Sequence, residues 1–347
     1  MRVSFHSLVT LVGFSVLVAW TLPADGDSAA MPLKTMLVAH AGMGYGAPQN
    51  TLPAFQAAIE AGFGFECDIQ MSADHQIFAA HNSTASAYGG GNVPFKEMQW
   101  AEIAQLDVGR ALGGSSWAGT RAPRFEDILA LMRDGQKSFV EVKESAGTEI
   151  VPYIKAAVEG QSVATPANML FISFDREICR ALRQALPAYE VMWIIFSHKD
   201  LEVHDDQRGP AYTADEVIGL LQEANLTGVD MAGDKSVVTE AFVRQVRAAG
   251  FKFGVWTVDS TDNARIFLKR GVDAVTTNRT KEIEEELADS PWRLAEFLDS
   301  AAKPIDTRVG TKCAVTDVDL DSRTGSQAES NLGGLATTQG GSRMLLH

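Results

Sequence analysis

Glu66 and Asp68 stand two residues apart in the apolar run Gly64-Phe65-Glu66-Cys67-Asp68-Ile69-Gln70. Side chains on a strand alternate faces, so the two carboxylates share one face while Cys67 takes the other. The same spacing recurs in Glu141-Val142-Lys143. Two carboxylates about 5 Å apart repel by roughly 3 kcal/mol at an effective dielectric of 20. Gathering Glu66, Asp68 and Glu141 therefore calls for more positive charge than Lys143 brings. A divalent cation supplies it, and an all-oxygen donor set suits Mg2+ or Ca2+ better than Zn2+. His40 closes one strand-like run, and Gln76-Ile77-Phe78-Ala79-Ala80-His81-Asn82 delivers His81. Two histidines flanking a hard cation fit general acid–base chemistry on a phosphate ester.

These residues need strands to carry them. Strand-like segments run Met36–His40, Gly64–Met71, Ser138–Lys143, Met169–Phe174, Glu190–Phe196, Gly228–Met231, Lys252–Val258 and Ala274–Thr277. A helical pattern follows each, starting near Thr51, Arg124, Glu149, Arg176, Asp215, Val238, Thr261 and Thr280. The first helix is expected to open with Asn50 as its cap and Pro53 in its first turn. Gly62, Gly135, Gly250 and Gly271 mark stops before the next strand. Eight such pairs, with no GxGxxG after the first strand and no Walker loop, predict an α/β fold: one (β/α)8 TIM barrel spanning residues 31–290. Barrel chemistry sits at the C-terminal strand ends, where these candidates converge.

The 347-residue chain is 46% hydrophobic, enough for a sizeable core, and carries a formal net charge of -14. That charge argues against a nucleic-acid partner. Cys67, Cys179 and Cys313 are too widely spaced for a disulfide framework or a zinc knuckle, and Cys67 and Cys179 read as buried structural thiols. Residues 1–30 read as a secretory leader: Arg2, an apolar run from Leu8 to Trp20, then small residues. The expectation is an exported protein, periplasmic or extracellular. A retained membrane anchor is an alternative, and a true start at Met31 would leave the chain cytoplasmic. Residues 291–347 read as a short helix followed by a disordered tail rich in Ser, Thr, Gly and Asp. His75, His198, His204 and Asp205-Asp206 read as solvated loop residues.

From about Leu37 to Asn278 the chain resembles the glycerophosphodiester phosphodiesterase family, within the phosphatidylinositol phospholipase C-like barrels. His40-Ala41-Gly42 and Gln49-Asn50-Thr51-Leu52-Pro53-Ala54-Phe55 echo its opening His-Arg-Gly and Glu-Asn-Thr pattern. Glu66-Cys67-Asp68, His81-Asn82, Glu141-Val142-Lys143, Ser173-Phe174 and Trp256-Thr257-Val258 match its later motifs in order. The resemblance implies a metal held by Glu66, Asp68 and Glu141, with His40 and His81 as acid and base. It also implies Lys143 neutralising phosphate charge, and Trp256 and Ser173 on the substrate, Trp256 at its alcohol side. The implied reaction cleaves a small glycerophosphodiester to glycerol 3-phosphate and an alcohol, by water or through a cyclic phosphate.

Three positions depart from that pattern. Ala41 replaces the family's Arg, Gln49 its Glu, and Asn82 the Asp after the second His. A charge-assisted hydrogen bond to phosphate is worth roughly 1.5–3 kcal/mol, so losing the Arg weakens phosphate handling without abolishing catalysis. The first two changes read as linked, because without the Arg a nearby Glu would be an unpaired charge facing an anionic substrate. The alternatives are sphingomyelinase D-like or phospholipase-like action on intact lipids, with contact to a lipid surface, and a barrel that binds a phosphorylated ligand without catalysis.

Overall fold

The computed structural model describes residues 37–43, 46–199 and 209–288. The strands are β1 (Leu37–Ala39), β2 (Gly64–Met71), β3 (Ile77–Ala79), β4 (Ser138–Val142), β5 (Met169–Ser173), β6 (Val191–Ile195), β7 (Gly228–Ala232), β8 (Lys252–Trp256) and β9 (Ala274–Thr277). All pair in parallel except β3, which runs antiparallel to the end of β2. β1 pairs with β2 on one side and β9 on the other, closing an eight-stranded barrel from which β3 projects. The barrel helices are α1 (Leu52–Ala61), α2 (Phe125–Leu129), α3 (Val151–Glu159), α4 (Arg176–Ala185), α5 (Ala214–Glu223), α6 (Glu240–Ala248), α7 (Thr261–Lys269) and α8 (Thr280–Ala288).

Strand runs such as Phe139-Val140-Glu141-Val142 and Val191-Met192-Trp193-Ile194-Ile195 are buried along their whole length, because helices cover one face and the barrel interior the other. Alternation sorts the side chains. Phe65, Cys67, Ile69, Val140, Val142, Phe171, Val229, Val255 and their neighbours pack outward against the helices. Val38, Phe139, Leu170, Ile172, Met192, Ile194 and Ala274 fill the interior. Glu66 and Asp68 have the opposite parity to Cys67, and Glu141 shares that of Phe139, so all three carboxylates face inward.

All eight expected barrel strands are present, and the predicted barrel is the observed one. The short β3 was not anticipated, because three residues carry no readable period. Asp175, Thr213, Thr239 and Ser260 cap α4, α5, α6 and α7 with side-chain acceptors, each worth about 1 kcal/mol. Asn50 does not cap α1: the cap position falls on Thr51, and Asn50 sits at φ +56 with its amide turned toward β2. Gly62, Gly250 and Gly271 follow the ends of α1, α6 and α7 in the left-handed conformation, whereas Gly135 takes it in the turn before β4, five residues past the Ala130 cap of α2.

Between β3 and α2 the chain builds a satellite core from Phe78, Ala80, Ala85, Tyr88, Phe95, Met98, Ile103, Val108 and Ala122. Phe78 meets Phe95 edge-on at 5.1 Å. The segment is anchored beside the mouth, where it presents His81. Cys67 and Cys179 are buried and unpaired, as expected. The expected leader and tail, Cys313, His204 and Asp205-Asp206 lie outside the described residues. Among the described residues no helix is long and apolar enough to cross a membrane.

Candidate active site

β2 and β4 lie side by side with Asp68 directly opposite Glu141, one step along from Glu66. One carboxylate oxygen from each of the three lies within 4.8 Å of the others, and all three residues are at least 90% buried. Lys143, just past β4, places its Nζ 2.7 Å from Glu141 Oε1 and 3.3 Å from Asp68 Oδ1. Asn50 grips Asp68 twice: its Nδ2 donates to Asp68 Oδ2 at 2.7 Å, and its Oδ1 accepts from the Asp68 backbone N–H at 3.0 Å. The Ala41 N–H donates to Glu66 Oε2 at 2.8 Å, whereas Glu66 Oε1 is buried with no partner.

The carboxylates divide electrostatically. Burial, then the charges of Asp68 and Glu141, push Glu66 well above the ordinary carboxylate range. Burial likewise lifts Glu141 to about 7, although Lys143 opposes it. Burial works upward on Asp68 too, but Lys143, His81, His40 and the Asn50 hydrogen bond together outweigh it and hold Asp68 low. Burial works against the Lys143 charge, yet Asp68 and Glu141 keep it firmly protonated. Three inward carboxylates with one lysine and an orphaned Glu66 oxygen form a donor set that fits a hard divalent cation.

His40 follows β1, with its backbone N–H bonded to Thr277 O at 3.0 Å. Its Nδ1 lies 2.9 Å from Asn278 Oδ1. Asp259 orients that amide, taking the Asn278 backbone N–H on Oδ1 and its Nδ2 on Oδ2, both at 2.8 Å. A carboxylate only accepts, so the Asn278 NH2 must face Asp259 and its carbonyl oxygen must face His40. Nδ1 of His40 is therefore a donor, and in the neutral imidazole the lone pair falls on Nε2, 4.0 Å from Glu66 Oε2. His81 is exposed beyond β3, and its neighbours are pinned. Ala80 N–H donates to Asp68 O at 3.0 Å, and Gln70 Nε2 donates to Ala80 O at 2.7 Å and Asn82 O at 2.5 Å.

Across the mouth, at the ends of β5, β6 and β8, Phe174, Phe196 and Trp256 pack against one another with ring centroids 5.4–5.6 Å apart. All three are half-buried. Trp256 Nε1 donates to Asp230 O at 3.0 Å, which locks the indole to β7. Ser173 is fully buried beneath this wall. Its hydroxyl donates to Val142 O at 2.7 Å and accepts from the Asp175 N–H, so it serves the backbone rather than the open mouth.

The departures cluster at the rim. Ala41 is buried at φ +49, and its carbonyl accepts the Asn50 N–H at 2.9 Å, setting its loop beside exposed Gln49. Gly42 follows at φ +83, where a Cβ would come within 2.8 Å of Ala54 backbone, so only glycine lets this loop lie on α1. Asn82 is half-buried, with its carbonyl held by Gln70. Among the described residues the two histidines outside the site have local partners: His75 stacks on Tyr153 at 4.7 Å, and His198 stands 4.0 Å from Asp234.

Sequence reasoning missed Asn50, Gln70, Asp230, Asp259 and Asn278 as parts of the site. Asn50 carried a signal, but as a helix cap. Asp259 and Asn278 lie 19 residues apart, and nothing local marks them as partners of His40.

The sequence model of the glycerophosphoryl diester phosphodiesterase family matches residues 40–282. A glycerophosphodiester phosphodiesterase of Caldanaerobacter subterraneus is 25% identical over 259 residues, covering 71% of this chain and 95% of its own length. One from Bacillus subtilis is 22% identical over 261 residues, covering 71% and 84% respectively. Among solved structures, an Oleispira antarctica phosphodiesterase in complex with the product sn-glycerol-3-phosphate superposes with a TM-score of 0.62 at 20% identity, over 73% of this chain and 96% of that one. A glycerophosphodiester phosphodiesterase from Parabacteroides distasonis gives 0.57 at 20% identity, over 74% and 97%. The family match begins at His40 and runs through the acidic cluster, Trp256 and Asn278 into α8. This chain belongs to the glycerophosphoryl diester phosphodiesterase family.

Proposed function

We propose that this chain is a phosphoric diester hydrolase that cleaves glycerophosphodiesters to glycerol 3-phosphate and the free alcohol at the barrel mouth. The observation that carries this reading is the convergence of Glu66, Asp68 and Glu141 with the His40 Nε2 lone pair at one edge of that mouth. The product in the Oleispira antarctica phosphodiesterase supports glycerol 3-phosphate as the retained half.

Glu66, Asp68 and Glu141 would hold a divalent cation, Mg2+ or Ca2+, which when bound supplies Lewis-acid stabilisation of charge on the phosphoryl oxygens. Asn50 keeps Asp68 aimed, and Lys143 first, then His81, His40 and the Asn50 hydrogen bond, keep it ionised. Lys143 stands beside that pair as a positive charge for the phosphate. With Nδ1–H committed to Asn278, His40 accepts at Nε2 the proton of the attacking oxygen, either water or a substrate hydroxyl. As a new P–O bond forms and the ester P–O bond breaks, His81 donates the proton that the departing alcohol needs. Trp256 borders the space for that alcohol.

The test is release of glycerol 3-phosphate from a mixture of glycerophosphodiesters by the purified chain, with and without Mg2+ or Ca2+. Replacing either histidine by alanine should lower turnover by about a hundredfold or more. Full activity in both His40→Ala and His81→Ala would refute the catalytic assignment. Residues 1–30 would export the enzyme, and N-terminal sequencing of the secreted chain would check that: a mature end still at Met1 rules out cleavage.

A further inference from the structure

We infer that residues 108–121 form a knuckle that docks on a phospholipid surface bearing anionic head groups and holds the rim of the barrel mouth against it. The inference goes beyond the hydrolase reading and is read by binding rather than by turnover. Three observations carry it.

The first is apolar surface on a rigid support. Val108 and Gly109 are buried, and Val108 roots the short helical turn Val108–Gly113 in the satellite core. Asp107 closes the segment on itself: its Oδ1 accepts the Arg110 N–H at 3.1 Å, and its two oxygens accept the Gly119 N–H at 2.9 and 3.0 Å. The Gly109 N–H donates to Thr120 O at 3.1 Å, and a Cβ on Gly109 would fall 2.1 Å from Trp117 O, so bare backbone lets the two arms meet. Between the arms every residue from Arg110 to Gly119 is exposed except the half-buried Trp117. Leu112 is 42% exposed, one of four large apolar side chains so open among the described residues. A leucine and an indole held out on a pinned backbone lose little freedom on docking, and both suit the boundary between head groups and acyl chains.

The second is charge. From Val108 to Phe125 the sequence contains Arg110, Arg121 and Arg124 and no Asp or Glu, in a chain of formal net charge -14. Asp107, just before this stretch, spends its oxygens on the knuckle's own backbone. At physiological salt, charges beyond about 8 Å are largely screened, so an approaching surface meets the local arginines rather than the net charge. Exposed arginines beside exposed Leu112 and Trp117 complement phosphate head groups lying over apolar chains.

The third is position. Leu112, Gly113 and Trp117 line a cavity of about 400 Å³ against the loop 46–49. The next residue, Asn50, is the clamp on Asp68. A Cβ on Gly113 would fall 2.6 Å from Pro48 Cγ and 2.7 Å from Trp117 Cδ1, so this glycine lets the knuckle close on the loop that serves the acidic cluster. A surface that takes the knuckle therefore lies beside the site.

The experiment is cosedimentation of the full chain with vesicles of phosphatidylcholine alone and of phosphatidylcholine mixed with phosphatidylglycerol, at physiological salt. Every variant is made in the same full chain, so that residues 1–30 contribute equally. Binding to the mixed vesicles is expected to be about tenfold tighter than to phosphatidylcholine. Leu112→Ser should weaken binding to both by about fivefold. Arg110→Gln, at a side chain 67% exposed, should weaken binding to the mixed vesicles alone, by about fivefold. Lipid brominated in its acyl chains should quench the tryptophan emission of the unaltered chain more than that of Trp117→Phe. Sedimentation no greater with vesicles than without, or affinity unchanged in both Leu112→Ser and Arg110→Gln, overturns the inference. So does quenching that persists in full in Trp117→Phe, which would place the lipid contact elsewhere. Equal affinity for the two vesicle compositions overturns the anionic requirement. Release of glycerol 3-phosphate from a water-soluble diester should be the same in Leu112→Ser as in the unaltered chain, which shows that the variant folds. Absence of turnover in every chain sinks the hydrolase reading, and the vesicle data still decide for or against the knuckle.

Discussion

The β1–β2–β4 wall and the β5–β6–β8 wall of the mouth are both built from strands with buried interiors, yet they end in opposite chemistry. The first gathers Glu66, Asp68, Glu141, Lys143 and His40, and no member stands without help. Asn50 clamps Asp68, the Ala41 N–H steadies Glu66, and Asp259 aims Asn278 at His40. The second wall holds itself by ring contact, with Ser173 and Trp256 tied to strand carbonyls. Buried charge has to be answered by a directed network, because desolvation penalises each unmatched group, whereas aromatic rings hold one another by apolar and edge-on contact and leave no charge to be matched. Damage to the charged wall should therefore abolish turnover with little loss of fold. Damage to the aromatic wall should change which alcohol leaves.

The largest effect is expected at Glu66. Glu66→Gln should lower glycerol 3-phosphate release by about a thousandfold and strip bound metal, while the metal-free melting temperature holds or rises. The physical reason is that burial and its acidic neighbours already oppose the Glu66 charge. Elemental analysis together with a thermal melt checks this, and a drop in melting temperature matching the loss of activity would merge the two walls into one structural unit.

Next comes Asn278. Asn278→Ala frees the His40 ring by removing the 2.9 Å contact at Nδ1. It should cut kcat by about tenfold with KM little changed, the worth of one hydrogen bond in the reacting geometry. Steady-state kinetics with both parameters resolved would expose a merely structural role as a loss in KM or yield.

Asp230 is the exception that sharpens the comparison, an acid on the interior of β7 below the aromatic wall. Its Oδ1 has no partner, and burial, aided by the Glu141 charge, lifts it to about 8. Its folded pKa thus lies above its unfolded value of 3.8. Below that value both states hold the proton and nothing is lost. Between about 4 and 8 the unfolded chain ionises while the folded one cannot, so rising pH removes stability until both are ionised. Asp230→Asn should stabilise the metal-free protein by a few kcal/mol at pH 8 and hardly at all near pH 4. Urea melts at the two pH values measure it, and an equal effect at both would show that packing, not charge, governs the site. Gly254 belongs to the same arrangement, since a Cβ there would fall 2.5 Å from Asp230 Oδ1.

The smallest effect lies at the rim. Ala41→Arg combined with Gln49→Glu should raise diesterase activity several-fold, and by more than the sum of the single changes in free energy. A charge-assisted phosphate contact is worth roughly 1.5–3 kcal/mol, from which displacing the groups around buried Ala41 subtracts. A double-mutant cycle reads the coupling, and strict additivity breaks the proposed link between the two positions.

Much of this was legible from the chain. Glu66 and Asp68, and Glu141 and Lys143, announced themselves by the two-residue period of a strand, and eight apolar runs spaced by helical patterns implied a closed barrel. Trp256 was visible as one residue of a motif, but its joining with Phe174 and Phe196 was not. Those three residues come from separate strands, and local sequence says nothing of which strand ends adjoin.

What the sequence determined by itself was the direction of each side chain along its own strand, because alternation and apolar burial are local properties. Tertiary structure decided the partners. The turn of Asn50 toward Asp68 rather than onto a helix, the line from Asp259 through Asn278 to His40, and the tying of Trp256 to β7 all depend on where barrel closure sets one strand against the next. Closure brings β9 beside β1 and so Asn278 to His40, a separation of 238 residues that no local pattern spans. Hydrogen bonds reach about 3 Å, so their specificity exists only once the packed core has fixed which atoms are neighbours.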